Sequence, residues 1–100
     1  MASGVTIIVN LTVYACVGYL PMYEVVLSTT GNERCTMSIE TPPFMASTIL
    51  RIPDQKAVSE YDVSLELVDL CQNSIVATRH VVTDMAPPGK YCRVLQKMYV

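Results

Sequence analysis

The sequence lacks tryptophan altogether, has a single phenylalanine and a single histidine, and carries a charge on only 16% of its residues. Soluble domains usually carry charge on about a quarter of their residues. Seven basic residues stand against nine acidic ones, and the basic residues form no run. Because nucleic acid and anionic lipid both require a concentrated basic surface, we expect neither as a partner. A surface with few charges loses few ion–water contacts when an interface forms on it, so the composition favours association with other proteins.

The sequence also lacks the motifs that carry most catalytic and metal chemistry. Its four glycines are isolated, so it has no glycine-rich phosphate-binding loop. Its four cysteines include no Cys-x-x-Cys pair, and its only histidine, His80, cannot build a typical metal cluster alone. Catalysis by His80 would need a cysteine or a carboxylate that the fold brings within hydrogen-bond reach of it. We therefore expect no enzyme activity, no metal site and no cofactor.

The opening segment 4–17, GVTIIVNLTVYACV, is apolar but has the features of neither a signal peptide nor a membrane helix. A signal peptide begins with positive charge, whereas the first basic residue here is Arg34. A membrane helix needs about 20 largely apolar residues, and Asn10 and Thr12 interrupt this run. We expect no cleaved leader and no membrane span. No compartment is assigned, and secreted and virion-associated locations both stay open.

The odd positions of the opening segment are all apolar: Val, Ile, Val, Leu, Val, Ala and Val from position 5 to position 17. A period of two predicts a β-strand. Thirteen residues at about 3.3 Å each would reach roughly 43 Å, more than twice the usual strand length. Two interpretations stay open. The strand bends or ends within its own sandwich, or it adds to the sheet of a neighbouring molecule through its uncharged edge.

The same alternation recurs along the rest of the chain. It predicts strands near residues 23–27, 35–40, 48–52, 61–70, 75–83 and 91–100, the fourth ending at Pro53. Segment 54–60 could hold one helical turn at most, and the chain lacks the longer helices that parallel sheets need. The pattern predicts a single all-β domain over residues 1–100. We expect an antiparallel β-sandwich of about seven strands, with an immunoglobulin-like or jelly-roll-like architecture, or alternatively a small barrel.

The four cysteines, Cys16, Cys35, Cys71 and Cys92, permit either of two states. In an oxidising compartment they could form one or two disulfides, and otherwise they stay reduced and pack as small apolar residues. Tyr91 directly precedes Cys92, whereas immunoglobulin domains place the corresponding tyrosine two residues before the cysteine and also contain a tryptophan. Only the architecture, and not that family, is therefore inferred.

Composition and strand pattern together favour a non-enzymatic structural or interaction protein that self-associates or docks into a larger protein assembly. A viral structural or accessory protein would be one example. The candidate interface residues lie on the polar-leaning side of the first strand, in the proline-rich loop and near the other end of the chain: Ile8, Asn10, Thr12, Tyr14, Phe44, Met98 and Tyr99.

The alternative hypothesis is a secreted binding module that disulfides stabilise and that contacts its ligand through loops 41–47 and 84–90. Each of these loops contains two prolines and a methionine. An exposed Phe44 would suit a binding anchor, whereas a buried one would fill its own loop. The state of the cysteines separates the two hypotheses, because free thiols on all four would count against the secreted module.

Overall fold

The computed structural model describes residues 4–15, 22–29, 32–39, 44–84, 86–87 and 89–100. They form seven β-strands: β1 (Val5–Ala15), β2 (Met22–Ser28), β3 (Asn32–Ser38), β4 (Phe44–Gln55), β5 (Glu60–Val68), β6 (Ser74–Val82) and β7 (Tyr91–Tyr99). The described residues contain no helix, so none of them forms an apolar helix long enough to cross a membrane. The prediction of an all-β fold with seven strands is confirmed.

The strands form two sheets that make up a small β-sandwich. One sheet has three strands in the order β4-β1-β7, and the other has four in the order β3-β2-β5-β6. The predicted hairpin of the second and third strands is confirmed, with Ser28 opposite Asn32. All pairs are antiparallel except β1 and β7, which run parallel. β7 follows β6, which lies in the other sheet.

The period of two places apolar side chains between the sheets. In β1 the odd-numbered residues are buried, as predicted, and those from Ile7 to Ala15 belong to one core cluster with the inward residues of both sheets. Valine, leucine and isoleucine dominate this cluster: Ile7, Val9, Leu11, Val13, Val25, Leu27, Ile39, Leu50, Val63, Leu65 and Leu67. Burying a side chain of this size contributes about 1.5–3 kcal/mol, so this layer fixes which side of every strand faces outward.

The first strand is the centre of its sheet, which overturns one expectation. β1 pairs with β4 from Val5 to Ala15 and with β7 from Thr6 to Tyr14. Since both backbone edges are paired within the chain, β1 has no free edge to offer to another molecule. The hypothesis of strand addition through the N-terminal strand is therefore wrong. Positions 16 and 17 of the predicted strand lie outside the described residues.

The fourth strand is longer than predicted because Pro53 lies within it and does not end it. β4 is an edge strand, where a residue without a backbone N–H leaves no ladder donor missing on the outer side. The pairing with β1 shifts register nearby, and Asp54 has a φ of 61° there. Gly4 passes so close that a Cβ at that position would lie 2.9 Å from the Asp54 Cα. Segment 54–60 forms no helical turn.

The turn between β5 and β6 is organised by Asp69. Its Oδ1 accepts hydrogen bonds from the backbone N–H groups of Cys71 and Asn73, both at 2.9 Å. These donors, the Asn73 N–H above all, lower the pKa of the Asp69 carboxyl. Gln72 has a left-handed φ of 66° in the same turn. The turn brings β6 back beside β5 and makes β6 the outer edge of the four-stranded sheet.

Candidate protein-interaction face

The outer side of the three-stranded sheet gathers side chains from all three of its strands. Even-numbered residues of β1 and odd-numbered residues of β4 and β7 alternate away from the core. The register aligns them in four rows, written in the order β4, β1, β7: Met45–Tyr14–Tyr99, Ser47–Thr12–Lys97, Ile49–Asn10–Leu95 and Arg51–Ile8–Arg93. We call these twelve residues the basic face.

Apolar and aromatic groups occupy much of the basic face. The rings of Tyr14 and Tyr99 stack with their centroids 5.2 Å apart and an angle of 15° between their planes. Leu95 is 71% exposed and Ile49 is 52% exposed, on the two sides of the same row. Exposed leucine and isoleucine share this face with the tyrosine stack, one polar row away from it, and exposed apolar and aromatic groups of this kind mark sites of protein contact.

The charged groups of the basic face are all cations, namely Arg51, Arg93 and Lys97. No carboxylate stands in the four rows, and the next one along β4 is Asp54, beyond the register shift. The whole protein has a net charge of −2, so this face has the opposite sign from the rest of the molecule. A surface that packs on it must be neutral or acidic where it meets the cations.

Ile8 lies on the outer side of the sheet and yet is only 4% exposed. Its two neighbours in register are Arg51 and Arg93. Arginine commonly lays its aliphatic stem along apolar surface and keeps its charged head in water. We attribute the burial of Ile8 to these two stems. The isoleucine therefore supports the basic face from below and contributes little surface to a contact.

Side chains cover part of two of the sandwich's four edges, those of β6 and β7. Arg79 reaches from edge strand β6 to edge strand β7, where its Nη1 donates to the Leu95 carbonyl oxygen at 2.6 Å and to Gln96 Oε1 at 3.2 Å. The Cys92 thiol donates to the Val82 carbonyl oxygen over 3.7 Å. These contacts occupy edge acceptors that an added strand would need. The arrangement favours association through a face over strand addition.

Five of the seven candidate interface residues share the basic face: Ile8, Asn10, Thr12, Tyr14 and Tyr99. The prediction for Met98 is wrong, because this side chain alternates inward opposite Val13 and is buried in the core. Phe44 begins β4 in register with Ala15, and its side chain lies outside the described part of the structure.

Sequence reasoning missed the residues that β4 and β7 add to the basic face. Ile49 and the cation Arg51 come from β4, while Leu95, Arg93 and Lys97 come from β7. The sequence contained a partial signal. Arg93, Leu95 and Lys97 are odd-numbered like Tyr99, so a period of two places them on the same side of β7 as this candidate residue. The position of β7 beside β1 depends on strand order, which a period of two does not encode.

His80 lies on the opposite outer surface of the sandwich, in β6. Its Nδ1 is 3.0 Å from Asp62 Oδ1 and its Nε2 is 3.8 Å from Glu60 Oε1. The hydrogen bond with Asp62, supported by the charge of Glu60, raises the pKa of His80 above its ordinary value of 6.5. All three side chains are exposed. Among the residues described, no cluster of His, Cys, Asp or Glu could hold a metal ion.

The described cysteines are free thiols. Cys35, Cys71 and Cys92 form no disulfide, so the candidate disulfides do not join any two of them. Cys16 lies outside the described residues. Burial raises the pKa of the Cys92 thiol, with a smaller effect from the charge of Asp84.

The loops of the alternative hypothesis are only partly loops. Residues 44–47 of the predicted loop 41–47 belong to β4, and the rest of that loop lies outside the described residues. Segment 84–90 does join β6 to β7, and within it the Lys90 N–H donates to the Pro87 carbonyl oxygen at 3.1 Å. With no disulfide among the described cysteines, the described structure gives the secreted module no advantage over an assembly protein.

The candidate functional site is identified from the geometry of the described residues alone. The basic face is the candidate site because it combines charges of one sign, stacked tyrosines and exposed apolar side chains. Neither a family model, nor a curated protein, nor a solved structure matches the chain.

Proposed function

We propose that the protein is a non-enzymatic structural subunit that self-associates through its basic face. One observation carries this proposal: an acidic protein presents exposed apolar side chains, a tyrosine stack and three cations without a carboxylate on the outer side of one sheet. Apolar groups supply the driving force for association, and the cations select the partner surface. The low overall charge limits the cost of removing ions from water at the contact.

The size of the basic face sets the strength of association to expect. Neighbouring strands lie about 4.8 Å apart and successive rows about 6.8 Å apart, so the four rows span roughly 10 by 20 Å between backbone positions. With the side chains at its margins, the footprint is on the order of 400 Å², about half of what each partner contributes to a standard interface. We therefore expect a dissociation constant of roughly micromolar or weaker.

Light scattering of the wild-type chain over about 10 μM to 1 mM tests the proposal in this affinity range. Leu95→Glu is the disrupting variant, since it removes the most exposed apolar side chain of the face and adds a charge. Val58→Glu is the matched control: Val58 is 77% exposed, lies in the loop between β4 and β5, and adds the same charge when replaced. Both variants should unfold at temperatures close to that of the wild type, because both side chains are largely in water.

We expect the mean mass of the wild type and of Val58→Glu to rise with concentration, while Leu95→Glu stays at the monomer mass. A wild-type chain that stays monomeric throughout this range would contradict the proposal. Equal behaviour of the two variants would show that association occurs elsewhere on the molecule.

A further inference from the structure

The outer side of the four-stranded sheet carries charge of the opposite sign from the basic face. The even-numbered residues of β2, β3, β5 and β6 alternate outward there, and we call them the acidic face. Their charged members, apart from His80, are four carboxylates and one arginine: Glu24, Arg34, Glu60, Asp62 and Glu66. Arg34 pairs with Glu24. Among the described residues the other three carboxylates have no lysine or arginine partner, although Glu60 and Asp62 both contact His80.

The two faces are complementary to each other but not to themselves. Two basic faces in contact would place three cations against three cations, and two acidic faces would oppose carboxylates in the same way. Such like-charge contacts are strongly unfavourable at an interface. Contact between a basic and an acidic face instead sets cations against carboxylates, with Arg93 and Lys97 available to meet Asp62 and Glu66. A contact between two different patches is heterologous, and unless it closes into a ring it repeats without limit.

The spacing of the charges also matches between the two faces. Arg93 and Lys97 stand four residues apart on β7, and Asp62 and Glu66 stand four residues apart on β5. At about 3.4 Å per residue, both pairs are separated by roughly 14 Å. In the aligned class of sheet packing, the strands of the two sheets lie within about 30° of each other. β7 of one copy can therefore lie along β5 of another, with Leu95 between two ion pairs.

A groove on the acidic face distinguishes the two directions in which β7 could lie. It has a volume of about 500 Å³, and its lining combines Val68 and Leu70 with charged groups that include the Glu24–Arg34 pair and Asp69. When Arg93 lies over Asp62 and Lys97 over Glu66, the next outward residue, Tyr99, lies over Val68 and enters this groove. In the reverse direction, with Arg93 over Glu66 and Lys97 over Asp62, Tyr99 would lie over Glu60, at the end of the face away from this groove.

We propose that the basic face of one copy packs on the acidic face of the next, with Tyr99 in the groove beside Val68, so that the chains assemble head to tail. This inference rests on the proposed function, since it names a second copy of the chain as the partner of the basic face. One end of such an assembly presents an unused basic face and the other end an unused acidic face. Further copies can therefore add at both ends, and growth continues with concentration beyond the dimer.

Two variants that each disable one face test the arrangement when they are mixed. Leu95→Glu disables the basic face and keeps the acidic one, whereas Glu66→Lys places a cation on the acidic face and keeps the basic one. Far-UV circular dichroism checks that both are folded. Glu66→Gln, which removes the charge and keeps the size, replaces Glu66→Lys if the latter does not fold, and it should weaken association by a smaller factor.

We expect each variant alone to sediment as a monomer at concentrations where the wild type forms a series of larger species. An equimolar mixture should form a complex of two chains and nothing larger, because it contains one intact interface per pair. If the wild type itself stays monomeric, the proposed function fails. If the wild type stops at a dimer that Glu66→Lys forms equally well, self-association stands and the head-to-tail arrangement is overturned.

Discussion

The burial of Ile8 beneath two arginine stems leads to a prediction about stability. Ile8→Ala removes a side chain that is 4% exposed although it points away from the core. Truncating an enclosed isoleucine to alanine costs about 2–5 kcal/mol. The covering stems of Arg51 and Arg93 can move into part of the space, so we expect the lower end of this range, about 2 kcal/mol.

Ile49→Ala is the matched control for this variant. It makes the same substitution in an adjacent row of the same face, but Ile49 is 52% exposed. Ile49→Ala removes less buried apolar surface than Ile8→Ala, and alanine has a lower strand propensity than isoleucine. We therefore expect the free energy of unfolding to fall by about 0.5–1 kcal/mol.

Thermal unfolding at low protein concentration separates these effects from self-association. For a domain of this size we expect the unfolding temperature of Ile8→Ala to fall by about 8–16 °C, and that of Ile49→Ala by about a quarter to a half as much. Equal losses for the two variants would refute the enclosure of Ile8 by the arginines. A fall of less than about 0.5 kcal/mol in the free energy of unfolding of Ile8→Ala would also refute this enclosure.

Two further predictions concern titration and thiol reactivity. NMR titration should give His80 a pKa above 6.5, and Asp62→Asn should lower it. Because the pKa of His80 is raised in the folded state, its ion pair stabilises the fold below about pH 6.5 and loses this effect as the pH rises through the folded pKa. An unchanged pKa in Asp62→Asn would contradict the contact. Alkylation followed by peptide mapping should modify exposed Cys71 faster than Cys92, whose pKa is raised by burial; the reverse order would contradict the burial of Cys92.

Alternation within a strand could be predicted from the sequence because it depends only on neighbouring residues. The inward residues of β1 follow the odd positions that the period of two indicates. The same rule should have separated Met98 from Tyr99, since adjacent residues of a strand point to opposite sides. Tyr99 accordingly lies on the outer side of β7, whereas Met98 is buried in the core.

Strand order could not be predicted, and two errors follow from this. Pro53 was expected to end β4, but an edge strand accepts proline, and the sequence does not show which strands lie at an edge. The hypothesis of strand addition by β1 failed for the converse reason, because β1 lies between two partners of its own chain. In both cases the decisive contacts join residues that are far apart in sequence.

The basic face shows the same limit at the level of the site. Its tyrosine stack joins Tyr14 of β1 to Tyr99 of β7, and its cations come from β4 and β7. Along the chain these cations are scattered among neutral residues and show no cluster. Their common sign on one surface becomes visible only when the register of all three strands is known.

The central claim is that the basic face is the surface through which the chains associate. Amide chemical shifts of the wild type, compared at about 20 μM and 1 mM, map the contact residue by residue. We predict concentration-dependent shifts at Thr12, Ile49 and Leu95 and none at Val58. Shifts confined to loops or to the edge strands β3 and β6, or no shifts at all, would contradict the account.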